Sequence, residues 1–176
     1  MYAGICEFWN NCAVDTDCKV VLYSSLLPLI ATPSACIIVD FGTALTFTAV
    51  DNTGLIQGIA ITPGIGTARN SLFNNTAQLP SVPLAAPPDS LGTNTIHSIQ
   101  AGIVLGYKGL VENLIKQMKS DMAAKTGISE DSIKVIATGG LNSVLKPITS
   151  VFEDVDKSLT LYGLNRIAQI IKDSNV

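Results

Sequence analysis

Asp40, Gly42 and Thr43 place a carboxylate, a glycine and a hydroxyl within four residues of one another. They follow the apolar run 35–39, whose residue types favour a buried strand, so Asp40 emerges where an unpaired charge is costly. Gly42 permits close backbone approach, and Thr43 adds a hydroxyl beside free amide groups. Such a turn can hold an anion on its N–H groups while the carboxylate holds a cation. The segment predicts a phosphate site, although its spacing alone also occurs at ordinary strand ends.

Two more glycine turns follow predicted strands, and they belong to the same candidate site. Gly64 closes a strand at Pro63, and Gly139-Gly140 follows the short apolar run 133–137. Ligands of α/β sheets bind beyond the carboxyl ends of the strands. We therefore expect both turns to line one pocket with Asp40 and Thr43. The alternative for Gly139-Gly140 is a plain strand–helix turn.

The elements that must position these turns form a mixed α/β domain. Strands are predicted over 35–40, 44–50 and 55–62, with a hairpin signal at 51–54. Helices are predicted from near Gly66 to about Asn75, from about Thr95 to Lys125, from Gly140 to about Lys146, and from Thr160 to Lys172.

The long helix carries two signals of its own. Asn94 or Thr93 is expected to cap its start, and Gly127 to end it. Gly102, Gly106 and Gly109 recur along it and would permit close helix packing, within the chain or against a second subunit. His97 is interpreted as a helix-surface or packed residue rather than a base.

Composition excludes several classes of protein. The 176 residues suit one domain, and a net charge of −3 argues against nucleic-acid binding. No run reaches the ~20 apolar residues that a membrane span needs, so a cytoplasmic protein without a membrane partner is expected. The four cysteines, Cys6, Cys12, Cys18 and Cys36, match no zinc-binding spacing.

An ordered set of segments over about residues 35–170 resembles the type III pantothenate kinases. Each segment is common alone, but their order and spacing together are specific. The segments are Val39-Asp-Phe-Gly-Thr-Ala-Leu-Thr-Phe47, Ile61-Thr-Pro-Gly64, Leu72 with Thr76-Ala-Gln-Leu-Pro80, Gly92-Thr-Asn-Thr95, Gln100-Ala-Gly102 with Gly106-Tyr-x-Gly109, Ala137-Thr-Gly-Gly-Leu141, and Leu159-Thr-Leu-x-Gly163-Leu.

The resemblance implies a ribonuclease H-like, actin-like ATPase fold, of which this chain would form essentially the second of two domains. It implies ATP-dependent phosphorylation of pantothenate to 4′-phosphopantothenate, the step that opens coenzyme A biosynthesis. It also implies K⁺ or NH₄⁺ as activating cation, Mg²⁺ with ATP, and a homodimer.

Site residues follow from the same resemblance by position. Asp40 would hold the monovalent cation, and Thr43, Gly139 and Gly140 would contact ATP. Thr95 would contact pantothenate, although it could instead cap its helix.

The sequence departs from the family in two motifs, so no catalytic residue is assigned. The family's Asp-x-Gly-Asn-Thr loop, which holds phosphate and magnesium, is absent from the 176 residues. Its Gly-x-Asp-Arg segment, which supplies the general base, is also absent, since no arginine precedes Arg69. Asp15 and Asp17 have no flanking glycine or arginine and are interpreted as surface carboxylates.

These departures leave two interpretations. Residues 1–34 are treated as a non-family segment and 35–176 as a kinase-like C-terminal domain, as in a truncated or frame-shifted gene product. On the first interpretation the chain is a pantothenate kinase by descent that is inactive in this truncated form. On the second it is a non-catalytic fragment or interaction module of the same fold.

Overall fold

A five-stranded sheet organises the protein. A computed structural model describes residues 34–76 and 79–174, so Asp15 and Asp17 lie outside the described residues. The strands are β1 (Cys36–Phe41), β2 (Ala44–Val50), β3 (Ile56–Pro63), β4 (Lys134–Thr138) and β5 (Asp154–Val155). Their order across the sheet is β3-β2-β1-β4-β5.

Strand direction brings the predicted turns to one edge. β2 is antiparallel to both β1 and β3, whereas β4 is parallel to β1 and β5 is parallel to β4. Only β2 therefore runs the other way, and β1, β3 and β4 all end at the same edge. The predicted three-strand unit over 35–62 is confirmed. The two-residue β5 was not predicted because it is too short to show a period.

The helices follow the predicted order with one interruption. They are α1 (Ile65–Asn74), α2 (Thr95–Gln100), α3 (Gly106–Thr126), α4 (Asn142–Leu145) and α5 (Leu159–Ser174). A π-helical turn, Ala101–Leu105, separates α2 from α3, so the single long helix predicted from Thr95 is divided. Short 3₁₀ turns occupy Glu130–Ser132 and Lys146–Ile148.

Capping explains where these helices begin and end. The Asn94 side chain accepts a hydrogen bond of 3.0 Å from the backbone N–H of His97, which confirms Asn94 as the cap of α2. Gly127 ends α3 with a φ of +75°, a left-handed conformation that favours glycine. No helix in the described ranges is long and apolar enough to cross a membrane.

The larger core lies between one sheet face and α3. Alternate residues of β1, β2 and β4 meet the buried side of α3, as strand geometry requires. Ile96, in α2, is 48% exposed and lies outside this core. Fully buried members include Ile37, Val39, Leu45, Phe47, Val104, Val111, Ile115, Met122 and Val135.

A smaller apolar cluster occupies the other sheet face beside α5. It contains Cys36, Ile38, Val50, Ile56, Ile136 and Leu159. Burial there raises the pKa of the Cys36 thiol to about 11, and the nearby charge of Lys134 offsets only part of that rise. The thiol is therefore protonated and unreactive at neutral pH.

Candidate functional site

Asp40 lies near the carboxyl end of the central strand. In the sheet register it is opposite Thr46 of β2 on one side and Thr138 of β4 on the other. Its carboxyl group is half-buried, and burial raises its pKa above the ordinary value. Among the described residues no hydrogen bond or ion pair reaches this carboxylate. A half-buried carboxylate without a partner is costly and marks a candidate cation site.

Gly139 packs directly against Asp40. It has a φ of +86°, and a Cβ added to it would lie 2.6 Å from Oδ1 of Asp40 and 2.7 Å from the backbone N of Phe41. Only glycine fits both the backbone conformation and the space. The structure thus brings the turn after β4 onto the end of β1, as the sequence predicted. What the two residues bind remains a prediction.

Thr43 is joined to Gly64 at the same edge. The Gly64 N–H donates to the Thr43 carbonyl oxygen over 2.8 Å, and the Thr67 hydroxyl donates to that oxygen over 2.7 Å. A Cβ on Gly64 would lie 2.6 Å from the same carbonyl oxygen, so the two loops touch through their backbones. The side chain of Thr43 is exposed. Its hydroxyl is therefore presented on a loop whose backbone is fixed.

Two buried polar atoms beside the Gly139 turn have no hydrogen-bond partner among the described residues, Oγ1 of Thr138 and Oδ1 of Asn142. Both residues are 1% exposed. The Asn142 amide nitrogen donates to the carbonyl oxygen of Gly139, which fixes the turn. Gly140 is exposed, with no atom within 4 Å of an added Cβ, so close packing does not require glycine there.

Sequence reasoning did not single out Thr138 or Asn142. Their importance depends on strand register and on burial, and neither can be deduced from the residue types. The available signal was the position of Thr138 at the end of a predicted strand that leads into a glycine turn.

Thr95 lies in a separate open groove of about 500 Å³ at the start of α2. Since Asn94 supplies the cap, the alternative that Thr95 caps the helix is wrong. The groove combines polar and apolar side chains, and neither Asp40 nor Gly139 lines it. Its lining includes Leu72, Thr93, Asn94, Thr95, Ser98 and Ile103.

The helix glycines have free space around them. A Cβ on Gly102, Gly106 or Gly109 would meet no atom within 4 Å, and all three residues are exposed. Within residues 34–76 and 79–174, therefore, nothing packs closely against these glycines, and the predicted close packing against them is not seen there. Gly102 lines the Thr95 groove.

Two oxygen-bearing side chains meet at Asp40. They offer one carboxylate and, from Thr138, a neutral hydroxyl oxygen that lacks a partner. No group of three histidine, cysteine, aspartate or glutamate side chains that could hold a metal ion occurs within 34–76 and 79–174. Magnesium in phosphoryl-transfer sites is usually bound by one or two carboxylates together with waters and substrate phosphates.

Sheet and helices together define a mixed α/β domain with glycine turns at one sheet edge, which confirms the predicted fold class. A solved structure of similar fold, described as a conserved putative Baf family transcriptional activator from Campylobacter jejuni, matches with a TM-score of 0.61. It is 19% identical, and the match covers 89% of this chain and 65% of that one. This likeness concerns the fold alone.

The family follows from sequence. Residues 17–117, more than half of the chain, match the family model of type III pantothenate kinase. The chain belongs to that family, and the resemblance drawn from the motifs is confirmed. The match begins at residue 17, inside the segment 1–34 that the sequence analysis set apart. The division at residue 35 stays a prediction.

Individual relatives are similar over most of this chain. The type III pantothenate kinase of Treponema pallidum strain Nichols is 45% identical over 141 residues, which are 80% of this chain and 49% of that protein. The type III pantothenate kinase of Citrifermentans bemidjiense is 45% identical over 136 residues, which are 77% of this chain and 51% of that protein. The chain thus spans about half the length of these relatives.

Proposed function

We propose that this chain supplies the cation-binding and nucleotide-binding edge of a type III pantothenate kinase. The reaction is ATP-dependent phosphorylation of pantothenate to 4′-phosphopantothenate, which opens coenzyme A biosynthesis in the cytoplasm. The observation that carries the proposal is the contact between Asp40 and Gly139 at the common carboxyl edge of β1 and β4. Family membership gives that edge its chemistry.

The chemistry needs positioning and charge neutralisation more than covalent help. A potassium or ammonium ion at Asp40 would offset phosphate charge next to the nucleotide. Thr43, whose side chain is exposed on a backbone held by Gly64, could donate its hydroxyl to a phosphate oxygen. Gly139 and Gly140 would form part of the nucleotide wall, and Mg²⁺ would arrive with ATP.

Pantothenate would occupy the groove beside Thr95. The exposed Thr95 hydroxyl is not used as the helix cap, so it is available to a polar substrate. Leu72 and Ile103 add apolar surface to the same groove, which suits the branched alkyl part of pantothenate. A second subunit would pack along the open glycine face of Gly102, Gly106 and Gly109 to give a homodimer, which sedimentation at micromolar concentration tests.

The 176-residue sequence by itself is expected to be inactive. It contains neither the Asp-x-Gly-Asn-Thr nor the Gly-x-Asp-Arg motif of the family. A general base typically contributes about 10²–10⁴-fold in rate, and charge stabilisation contributes at least as much. This absence is also what favours the second candidate, a non-catalytic module with the same fold.

The test separates nucleotide binding from turnover. Displacement of a fluorescent ATP analogue is measured on the purified chain with K⁺ and Mg²⁺ present, and labelled phosphopantothenate is measured in parallel. We expect ATP to bind, no enzyme-like turnover, and weaker ATP binding in Thr43→Val. The matched control is Thr126→Val, at the far end of α3, whose hydroxyl donates to Met122.

Two results would contradict the proposal. Failure of millimolar ATP to bind would remove the nucleotide role and favour the non-catalytic module. Robust formation of phosphopantothenate would show that other residues of the chain supply the base and the metal ligand.

A further inference from the structure

The hydroxyl of Thr138 is an unusual group in this fold. The residue is 1% exposed, and Oγ1 has no hydrogen-bond partner in the described part of the chain. Buried polar atoms in native proteins nearly always have a partner, and the exceptions point to a bound ion or water that the protein alone does not show. The atom therefore indicates a ligand, and the surrounding groups indicate which kind.

Strand register places Thr138 next to Asp40. The two residues are Cα partners in the parallel pair β1–β4, so their side chains leave the sheet on the same face. That face carries Ile38 and Ile136 one rung behind them. The Asp40 carboxylate reaches toward the adjacent Gly139, where an added Cβ would lie 2.6 Å from Oδ1. A carboxylate and a partnerless hydroxyl thus share one corner of the sheet.

The other neighbour of Asp40 differs from Thr138. Thr46 is opposite Asp40 from β2 but is only half-buried, so its hydroxyl can be satisfied by solvent. The Thr138 hydroxyl cannot, because it is buried. Of these two threonine neighbours of Asp40, therefore, Thr138 is the one whose hydroxyl requires an internal partner.

We infer that Thr138 Oγ1 is a ligand of the monovalent cation held by Asp40, and that this hydroxyl helps to select a singly charged ion. The inference rests on the proposed cation role of Asp40. One carboxylate balances one positive charge, and a hydroxyl adds a coordinating oxygen without adding charge. In the absence of nucleotide, a divalent ion at the same place would keep an uncompensated positive charge in a half-buried site.

Direct cation binding tests this on the 176-residue chain. Thallium(I) binding is followed by ²⁰⁵Tl NMR in nitrate buffer, and K⁺ binding by the shift in melting temperature at constant ionic strength. Thr138→Val removes the hydroxyl at nearly constant volume and should weaken both ions about tenfold or more. Thr138→Ser should restore binding, and Asp40→Asn should abolish it.

Thr48→Val is the matched control. Thr48 is 2% exposed on the same sheet face, but it is opposite Ile38 rather than Asp40, so its replacement should leave cation affinity unchanged. Thr138→Ala provides the same comparison if Thr138→Val does not fold, as judged by circular dichroism.

Wild-type cation affinity in Thr138→Val would overturn the inference and assign the hydroxyl to a bound water. Absence of Tl⁺ and K⁺ binding to the wild-type chain would overturn it as well. ATP binding measured on the same samples keeps the two proposals distinguishable. ATP binding without cation binding contradicts only the inference, whereas cation binding that depends on Thr138 without ATP binding contradicts only the nucleotide role.

Discussion

Gly139 and Asp40 are in such close contact that a single methyl group cannot be inserted between them. A Cβ on Gly139 would lie 2.6 Å from Oδ1 of Asp40, and the glycine adopts a φ of +86°. The turn after β4 and the end of β1 are therefore one structural unit. A substitution of either residue should therefore disturb the position of the other.

Replacing Gly139 by alanine should destabilise the protein and disturb the Asp40 carboxylate. The left-handed backbone alone costs about 1–2 kcal/mol, and the clash adds to it. Gly127→Ala is the control for the backbone term, since Gly127 has a φ of +75° but no atom within 4 Å of an added Cβ. Urea unfolding should show a larger loss for Gly139→Ala than for Gly127→Ala, and little change for Gly140→Ala. Equal losses at Gly139 and Gly127 would contradict the close contact.

Replacing Asp40 by asparagine should stabilise the protein in buffer without K⁺ or NH₄⁺. The wild-type carboxylate is half-buried with no partner among the described residues, whereas a neutral amide carries no charge to desolvate. Functional sites commonly trade stability for activity in this way, and a gain of about 1 kcal/mol is expected. Differential scanning calorimetry measures it, with Asp131→Asn as an exposed control. A loss of stability would argue against an uncompensated charge at Asp40.

Replacing Tyr107 by phenylalanine should loosen the end of β3. The Tyr107 hydroxyl donates to the Pro63 carbonyl oxygen over 2.7 Å and so ties α3 to the residue before Gly64. Loss of this bond leaves a carbonyl unsatisfied, at a cost of about 1–2 kcal/mol. Tyr162→Phe, at a 59% exposed position on α5, is the control and should be nearly neutral. Chemical denaturation of Tyr107→Phe and Tyr162→Phe measures the change in the free energy of unfolding that each substitution causes.

Asp51 should make stability fall at acid pH. Burial alone would raise its pKa, but hydrogen bonds from Thr53, Leu55 and Gln57 outweigh burial and lower it. A folded-state pKa below the unfolded value of about 3.9 gives stability that is present above that pH and lost as the pH falls through the folded pKa.

Asp51→Asn measures this contribution. The variant should be less stable by about 1–3 kcal/mol at pH 7, because the amide nitrogen cannot accept a hydrogen bond. The difference from wild type should shrink below about pH 4, because the unfolded carboxylate is protonated there and the folded carboxylate follows only as the pH falls further. A difference that stays constant down to the acid transition would show that charge is not its cause.

The parts of the fold that could be predicted are those set by local residue types. The turn at 51–54 and the alternation of Leu45 and Phe47 with Thr46 and Thr48 were sufficient to define the hairpin. The π turn at Ala101–Leu105 was not predictable, because a single extra residue in a helix leaves no clear periodic signal.

The site was only partly predictable for a related reason. Asp40 and Gly139 could be assigned to one sheet edge, because each lies at or just beyond the end of a predicted strand. The proximity of Thr138 to Asp40 could not be predicted, because it depends on the register between β1 and β4. These two strands are separated by more than ninety residues of chain.

The central position of β1 affects how the two proposed binding regions should behave over time. Its backbone is hydrogen-bonded to β2 on one side and to β4 on the other, so its amide groups should exchange with deuterated solvent only when the whole domain opens. Asp40 is thus attached to one of the slowest-opening parts of the protein. Thr95 begins the six-residue helix α2, which follows a stretch, 79–94, without helix or strand, so its amides should exchange through cheaper local openings. The structure around Asp40 should therefore stay intact during the local openings that disrupt the groove beside Thr95.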